Sequence, residues 1–485
     1  LDKGHLGGSE FQALSSAYEL LRGLEHRLQL RLGQQTHIVP EDRARQALLE
    51  RSLGLAPGGL APLLERHMGE VARLYASHVG FAGEPVADVA AAVLTEVPGP
   101  QRPDLDRHGQ RQWTRLQRSL ATLAPAASVA NAAGEALTLA LERSDWMAEA
   151  LIRRPELVAT LGQDPGRLEL GGLNPEQGMA RMRRWRQRQL LELLTREWAT
   201  RQPIATTLAQ ISDLAQAIIA AGLGLAQVAV PQPAPSLAVL GLGRLGLWEL
   251  DLLSDLDLVF VAEEGEREAA ARVAAKLIEV LSAYTSDGSL YAVDARLRPS
   301  GGEGELVQTP GSLERYFGGS AGLWEAASYI KARPIAGNLV TATEALAAVE
   351  AGLHGRFATA EATAALRPLR DRIEREGRPG RWGLKTAPGG YYDVDFLRAS
   401  RRLRPELPPL PAELAEWTAL LRAGDHALRT AAGKAGSALP ASGSSVGRAQ
   451  TWLRGIWPAP MAAPLVAVLD AARARIRALF DASEL

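Results

Sequence analysis

Between Leu237 and Phe260 the chain reads LAVLGLGRLGLWELDLLSDLDLVF. Few folds other than two apolar strands around a glycine-rich turn accommodate such a run. The first strand covers Leu237 to Leu240, and the turn carries Gly241, Gly243 and Gly246. The second strand carries Asp255 and Asp257 as a D-x-D pair. Side chains two apart on a strand point the same way, so the two carboxylates are expected side by side, walled by Leu256, Leu258 and Phe260. Two close like charges beside apolar strands are costly unless something neutralises them. A divalent cation does so, and oxygen-only ligands favour Mg2+, with Mn2+ the alternative. The backbone N–H groups of the glycine turn suit a phosphate. A D-x-D pair alone also describes an ordinary solvated acidic pair. With the turn before it, it reads as a metal-dependent nucleotidyl-transfer site.

The following residues extend the pattern. Glu266 to Tyr284 has helical spacing at Val273, Leu277, Val280 and Leu281. SLYAVDARLRPSG then reads as a strand with Asp294 at its centre and Arg296 and Arg298 on the same face. Asp294 on a neighbouring strand completes a metal cradle with Asp255 and Asp257, and the arginines hold triphosphate oxygens. A salt-bridged strand, Asp294 with Arg296 or Arg298, is the competing reading. GLGRLG is a partial G-x-G-x-x-G, but no βαβ unit and no acid about twenty residues on accompany it, which argues against a dinucleotide fold.

The blocks GLGRLGLWELDLLSDLDLVFV, YAVDARLRPSGGEGELV, LWEAASYIKARPIAG and KTAPGGYYDVDFL, in this order from Leu237 to Leu397, resemble the glutamine synthetase adenylyltransferase family. The resemblance implies an α+β, mostly α fold: a polymerase-β-type nucleotidyltransferase domain with a small mixed sheet, flanked by helical bundles. It implies transfer of AMP from ATP, with Mg2+, to a tyrosine of glutamine synthetase, and regulation by PII-type signal proteins. Asp255, Asp257 and Asp294 are then the catalytic and metal-holding residues. Gly241, Gly243, Arg244, Ser254, Arg296 and Arg298 are expected around the nucleotide. Glu249, Glu325, Lys331, Arg333, Asp393 and Asp395 are expected close behind. The chain departs from the family pattern at Leu247, Trp248, Ala327, Tyr391, Tyr392 and Asp395. The rival readings are a nucleotidyltransferase for another protein or small molecule, and a non-catalytic fragment that binds glutamine synthetase or PII.

The 485 residues carry a net charge of −1 and no cysteine. Near-neutrality gives no bulk pull toward nucleic acid or membrane, and disulfides and thiolate metal sites are excluded. No signal sequence opens the chain, so a cytoplasmic protein is expected. The start at Leu1, with an amphipathic segment under way by Phe11, suggests a fragment or a processed start. Helical spacing marks Glu10 to Leu32, Arg43 to Leu53, Leu60 to Val79, Ala133 to Leu161, Asn174 to Trp198 and Ile204 to Leu225, with a cap at Ser144 or Asp145 and a break at Pro155. Pro98 to Asp104 and Pro231 to Pro235 read as linkers, and Lys434 to Gly447 as a long loop. These divide the chain into a helical module (1–100), a second helical region (105–230), the catalytic domain (231–340) and a C-terminal bundle (341–485).

Leu20 to Pro40 aligns without gaps to Leu420 to Pro440, and Leu20, Arg22, His26, Gly33 and Pro40 recur as Leu420, Arg422, His426, Gly433 and Pro440. The second copy follows a catalytic domain and the first does not, so the AMP-removing half of the family is expected to be missing. His26 and His426 read as helix-packing or capping residues. The arginines around Trp185 read as a solvated helix or a partner surface rather than a nucleic-acid site.

Overall fold

The computed structural model describes residues 10, 12–18, 20–21, 24, 43–78, 105–120, 134–232, 234–285, 288–377, 383–434, 443–457 and 463–483. Most of the first repeat copy with His26, the expected linker at Pro98 to Asp104 and most of the expected loop from Lys434 lie outside them. The chain divides into two compact units after Thr95. In the first, helices α1 (Arg43–Ser52) and α2 (Leu60–His78) bury Leu49 and Leu60 together with Leu24. Glu50 accepts the Leu60 N–H at 3.2 Å, which satisfies one orphan donor at the start of α2.

The second unit opens with α3 (Arg107–Leu120), α4 (Gly134–Arg143) and α5 (Asp145–Arg153). The expected stretch from Ala133 to Leu161 is thus three pieces. Ser144 caps α5 by accepting the Met147 N–H at 3.1 Å, and its hydroxyl donates to Thr430 O at 2.7 Å. Pro155 turns the chain into a 3-10 segment. Two long helices follow, α6 (Pro175–Thr200) and α7 (Ile204–Ala229). By length and composition α7 is apolar enough to cross a membrane, but it packs here against α6 and half of its most apolar window is buried. The arginines around Trp185 are partly tied inside the protein. Arg183 donates to Ala283 O at 2.8 Å, and Arg186 lies 4.2 Å from the Tyr291 ring centre.

The sheet comprises β1 (Ala238–Gly241), β2 (Leu256–Val261), β3 (Val293–Asp294), β4 (Val307–Gln308) and β5 (Arg333–Gly337). The order is β3-β2-β1-β5, with β4 also on β2. β1 pairs antiparallel with β2 and β5, whereas β2 pairs parallel with β3 and β4. Helix α9 (Arg267–Ser282) makes the crossover from β2 to β3, within the expected segment Glu266 to Tyr284. A four-residue helix, α8 (Gly243–Gly246), forms the glycine turn.

Burial alternates along β2. Leu256, Leu258 and Phe260 enter the core shared with α7 and α9, while Val259 and Val261 enter a second core under α12 (Leu339–Phe357). The intervening helices are α10 (Pro310–Arg315) and α11 (Leu323–Tyr329). After α12 come α13 (Ala360–Ala364), α14 (Leu366–Gly377), α15 (Tyr391–Leu403), α16 (Ala412–Ala432), α17 (Ser444–Ile456) and α18 (Leu465–Ala482). The architecture is α+β and mostly α, as the sequence implies. In this unit the early helices, the sheet and the C-terminal helices share one continuous core.

Two expected elements differ. The strand around Asp294 is two residues long, so Arg296 and Arg298 lie in a turn that Pro299 and two glycines bend away. Arg333 opens β5 rather than closing the helix that starts near Trp324.

Candidate active site at the ends of β2 and β3

Asp257 lies in β2 in register with Asp294 of β3, so the two share a face. Asp255 is exposed and stands just before β2 rather than inside it. The apolar residues expected to wall the pair point to the opposite face, into the core with α7 and α9. Burial and the neighbouring Asp255 push the Asp257 carboxyl up to about 6, with Asp294 adding to the effect. Lys385 and Lys331 act against that rise.

The glycine turn is pressed onto this acid. Gly243 has a φ of +54°, and a Cβ there would stand 2.0 Å from Asp257 Oδ2. A Cβ at Gly246 would stand 1.9 Å from the Lys331 carbonyl oxygen, and one at Gly241 2.6 Å from Ile335. The close approach of the Lys331 backbone at Gly246 demands glycine there, while the Ile335 and Asp257 side chains fill the Cβ positions of Gly241 and Gly243. Leu242 N–H donates to Asp257 O at 2.9 Å and ties the turn to the strand.

The expected phosphate-holding arginines are otherwise engaged. Arg296 turns onto Asp294, with Nη2 2.5 Å from Oδ2, and this bond holds the Asp294 carboxyl below its ordinary value. Arg298 donates to the carbonyls of Ala295, Gly302 and Gly304 and so shapes the turn. Arg244 is drawn under the C-terminal helices: Nη2 lies 3.0 Å from Asp425 Oδ2, and the guanidinium stacks 4.6 Å from the Tyr391 ring centre. Ser254 is half-buried, and its N–H donates to Asp251 O at 3.2 Å.

The residues expected close behind divide into two groups. Lys331 Nζ donates to Asp395 Oδ2 at 2.8 Å, and the Lys331 charge reaches Asp257. Glu249 pairs with Arg422 and, at 3.5 Å, with Arg398. These pairs join the candidate site to α15 and α16. The others serve the fold. Glu325 accepts from Tyr316 Oη at 2.5 Å and from Gly322 N at the start of α11. Arg333 is buried toward α7, with Nη1 2.8 Å from Gln216 Oε1 and its guanidinium over Trp248. Asp393 is fully buried against Arg370.

The chemistry of the Asp255–Asp257 pair fits a hard divalent cation: oxygen donors only, and mutual repulsion that Lys385 and Lys331 offset only in part. The expected three-carboxylate cradle does not form. Among the described residues no group of three His, Asp or Glu side chains is arranged to hold a metal ion, and Asp294 is turned onto Arg296. Asp294 would join the pair only by releasing that arginine.

Two features escaped the sequence reading. Lys385, the first residue of the KTAPGG block, is the exposed cation that acts on both Asp257 and Asp294. Behind the site, Asp251, Asp425, Arg429, His426 and Glu197 form a buried ionic network. The recurrence of His426 in the repeat marks that position, but no local pattern names its partners.

Residues 134–348 match the family model described as glutamate-ammonia ligase adenylyltransferase. Residues 1–79 match a second, described as GlnD PII-uridylyltransferase. Several curated relatives share the name bifunctional glutamine synthetase adenylyltransferase/adenylyl-removing enzyme. The chain is 30% identical over 489 residues to the one from Xanthomonas axonopodis pv. citri, covering 81% of this chain and 52% of that protein. It is 34% identical over 249 residues to the one from Pseudomonas aeruginosa, covering 46% of this chain and 25% of the relative. For the Nitrosococcus oceani protein the match is 32% over 251 residues, covering 46% and 26%. The chain thus spans about half the length, or less, of the curated relatives it matches.

Proposed function

We propose, from the match of residues 134–348 to the glutamate-ammonia ligase adenylyltransferase family model, that the chain transfers AMP from ATP to a tyrosine of glutamine synthetase and so regulates nitrogen assimilation. The observation that carries the reading is the acidic strand end itself: Asp255 and Asp257 beside a glycine turn, with the Asp257 carboxyl raised to about 6 by burial and by its neighbour. Protein sites seldom keep two close carboxylates with their repulsion only partly offset unless function requires it.

In this reading Asp255 and Asp257 would hold Mg2+ or Mn2+, and Asp294, freed from Arg296, would be a further oxygen donor. The cation supplies charge neutralisation for the triphosphate and for the departing pyrophosphate. The chain's own residues bind and orient. Gly241 and Gly243 let the nucleotide approach the backbone, and Ser254 lies on the same segment as Asp255. Lys331 and Lys385 bring positive charge to the face where phosphates would lie. The tyrosine oxygen forms a bond to the α-phosphorus, the bond to pyrophosphate breaks, and pyrophosphate leaves with the electron pair. The tyrosine proton passes to one of the site carboxylates. The place of the domain ahead of the second repeat copy supports AMP addition as its direction. The match of residues 1–79 to a PII-uridylyltransferase family model supports a PII-type protein as regulatory partner of this cytoplasmic enzyme.

Label from ATP carrying a marked α-phosphate tests the proposal. Glutamine synthetase gains label in the presence of Mg2+, loses that ability when EDTA is added, and regains it when Mg2+ is restored in excess. Zinc-selective chelators leave the rate unchanged, since no Cys is present and no His lies between His108 and His354. Undiminished labelling in EDTA contradicts the metal assignment.

A stability measurement checks the electrostatics separately. The folded pKa of Asp257, about 6, lies above its ordinary 3.8, so the ionised carboxylate destabilises the fold. The penalty is absent below the unfolded pKa, grows between the two values and is constant above the folded one. In metal-free buffer at pH 7, Asp257→Asn is therefore expected to be more stable than the parent by about 1–2 kcal/mol, after allowance for solvent screening. The gap closes as pH falls from about 6 toward 4. An Asn variant that is no more stable at pH 7 contradicts the strained-pair account.

A further inference from the structure

His426 is fully buried in α16, and both of its ring nitrogens face carboxylates. Nδ1 lies 2.7 Å from Asp251 Oδ1, and Nε2 makes an ion-pair contact with Glu197 Oε2 at 3.2 Å. Asp251 stands four residues before Asp255, in the segment between the glycine turn and β2. Glu197 stands on α6 and accepts from Trp452 Nε1 of α17 at 2.7 Å. The imidazole therefore joins the catalytic segment on one side to the helical bundle on the other.

Charge balance sets its protonation. Asp251, Asp425 and Glu197 place three carboxylates in the buried cluster, and Arg244 and Arg429 supply two cations. A doubly protonated His426 supplies the third. Burial works to lower the His426 pKa, but Glu197 and Asp251 together hold it well above the ordinary value. Burial likewise works to raise Asp251, and the His426 charge, with Arg429 and Arg244, brings it down to about 2.

The same contacts fix the backbone that leads to Asp255. Asp251 Oδ1 also accepts the Leu252 N–H at 2.7 Å. Arg429 Nη1 donates to Leu252 O at 3.0 Å, and Leu250 N–H donates to Ser212 Oγ at 3.0 Å. Leu253 adopts a φ of 60°, a conformation that an L-residue with a bulky side chain holds only when its surroundings over-determine it.

We propose that His426 is a positioning residue for the transfer reaction: its imidazole, bonded to Asp251, anchors the Asp251–Ser254 segment to α16 and so sets where Asp255 and Asp257 stand. The proposal rests on the reading of those two carboxylates as the site. Glu197 holds the far side of the ring, and its hydrogen bond and ion pair go to Trp452 and His426 rather than to the catalytic segment, which supplies the control.

The experiment compares His426→Gln with Glu197→Gln in the full chain, reading kcat and KM for ATP in AMP transfer alongside thermal stability. Both variants lose stability, but His426→Gln loses kcat by about tenfold or more with KM for ATP within about twofold, and Glu197→Gln keeps kcat within about threefold. Equal kcat in the two variants, whether lowered or not, overturns the positioning role. If His426→Gln does not fold, the double variant Glu197→Gln/His426→Gln, which removes charges of both signs, carries the test and is expected to show the same kcat loss. An unchanged kcat in the double variant, or its failure to fold, assigns His426 to structure alone. A parent chain that transfers no AMP counts against the proposed function; a parent that transfers AMP while His426→Gln does so equally well counts only against the positioning role.

Discussion

On the proposed function, replacing Asp255 or Asp257 by Asn is expected to lower the rate of AMP transfer by about 10³-fold or more, with the fold intact. The expectation follows from the geometry of one strand end. Asp257 shares a face with Asp294 in strand register, and Asp255 lies close enough to raise the Asp257 pKa. Asn keeps the shape of each side chain and removes the charge that would hold a cation. Neither substitution endangers the fold. Asp255 is exposed, and Asp257 loses an electrostatic penalty when it becomes Asn. Asp294→Asn is expected to cost less than either, because the Asp294 carboxylate already spends much of its charge on Arg296. Measured kcat/KM for the three variants, with circular dichroism to verify folding, provides the check. More than about a tenth of parent activity in Asp255→Asn or Asp257→Asn refutes the assignment of the site.

Arg370→Leu destabilises the second unit by about 3–5 kcal/mol. Arg370 is completely buried on α14, with Nε 2.5 Å from Asp393 Oδ1 and Nη2 3.0 Å from Thr386 O. Asp393 is equally buried, and its second oxygen accepts the Gly389 N–H at 2.8 Å. Without Arg370 the acid keeps only that bond and a 3.6 Å contact to Arg477. An uncompensated buried charge is the costly outcome, so removing both charges as Arg370→Leu/Asp393→Leu restores most of the loss. Denaturant unfolding of the two variants decides the matter. A loss below about 1 kcal/mol in the single variant contradicts the description of this pair as sealed.

Features governed by neighbours in sequence were the most legible. The strand–glycine turn–strand order follows from apolar runs and glycines, and the structure explains each glycine by the atom that stands where its Cβ would be. The Ser144 cap and the break at Pro155 follow from cap and turn chemistry. Period-two reasoning was right about the strand interior and less so at its edges. Asp255 precedes β2, and the chain turns after Asp294, so the alternation that placed Arg296 and Arg298 beside it has no strand to act on.

What remained hidden is pairing between distant charges. Arg244 follows Gly243 and looks like a phosphate ligand, yet its partner Asp425 is 181 residues away. Asp393 and Asp395 sit two apart on one helix and look equivalent, but Asp393 pairs with Arg370 in the core and Asp395 with Lys331 beside the site. Sequence pattern states which side chains share a face, whereas the partner of a buried charge depends on which helix packs there.

Mass spectrometry of glutamine synthetase, after incubation with this chain and MgATP, tests the central claim most directly. The account predicts one tyrosine-containing peptide that gains AMP with the parent chain and stays unmodified with Asp257→Asn. A glutamine synthetase left unmodified by the folded, metal-supplied parent chain, or modified equally by both chains, contradicts it.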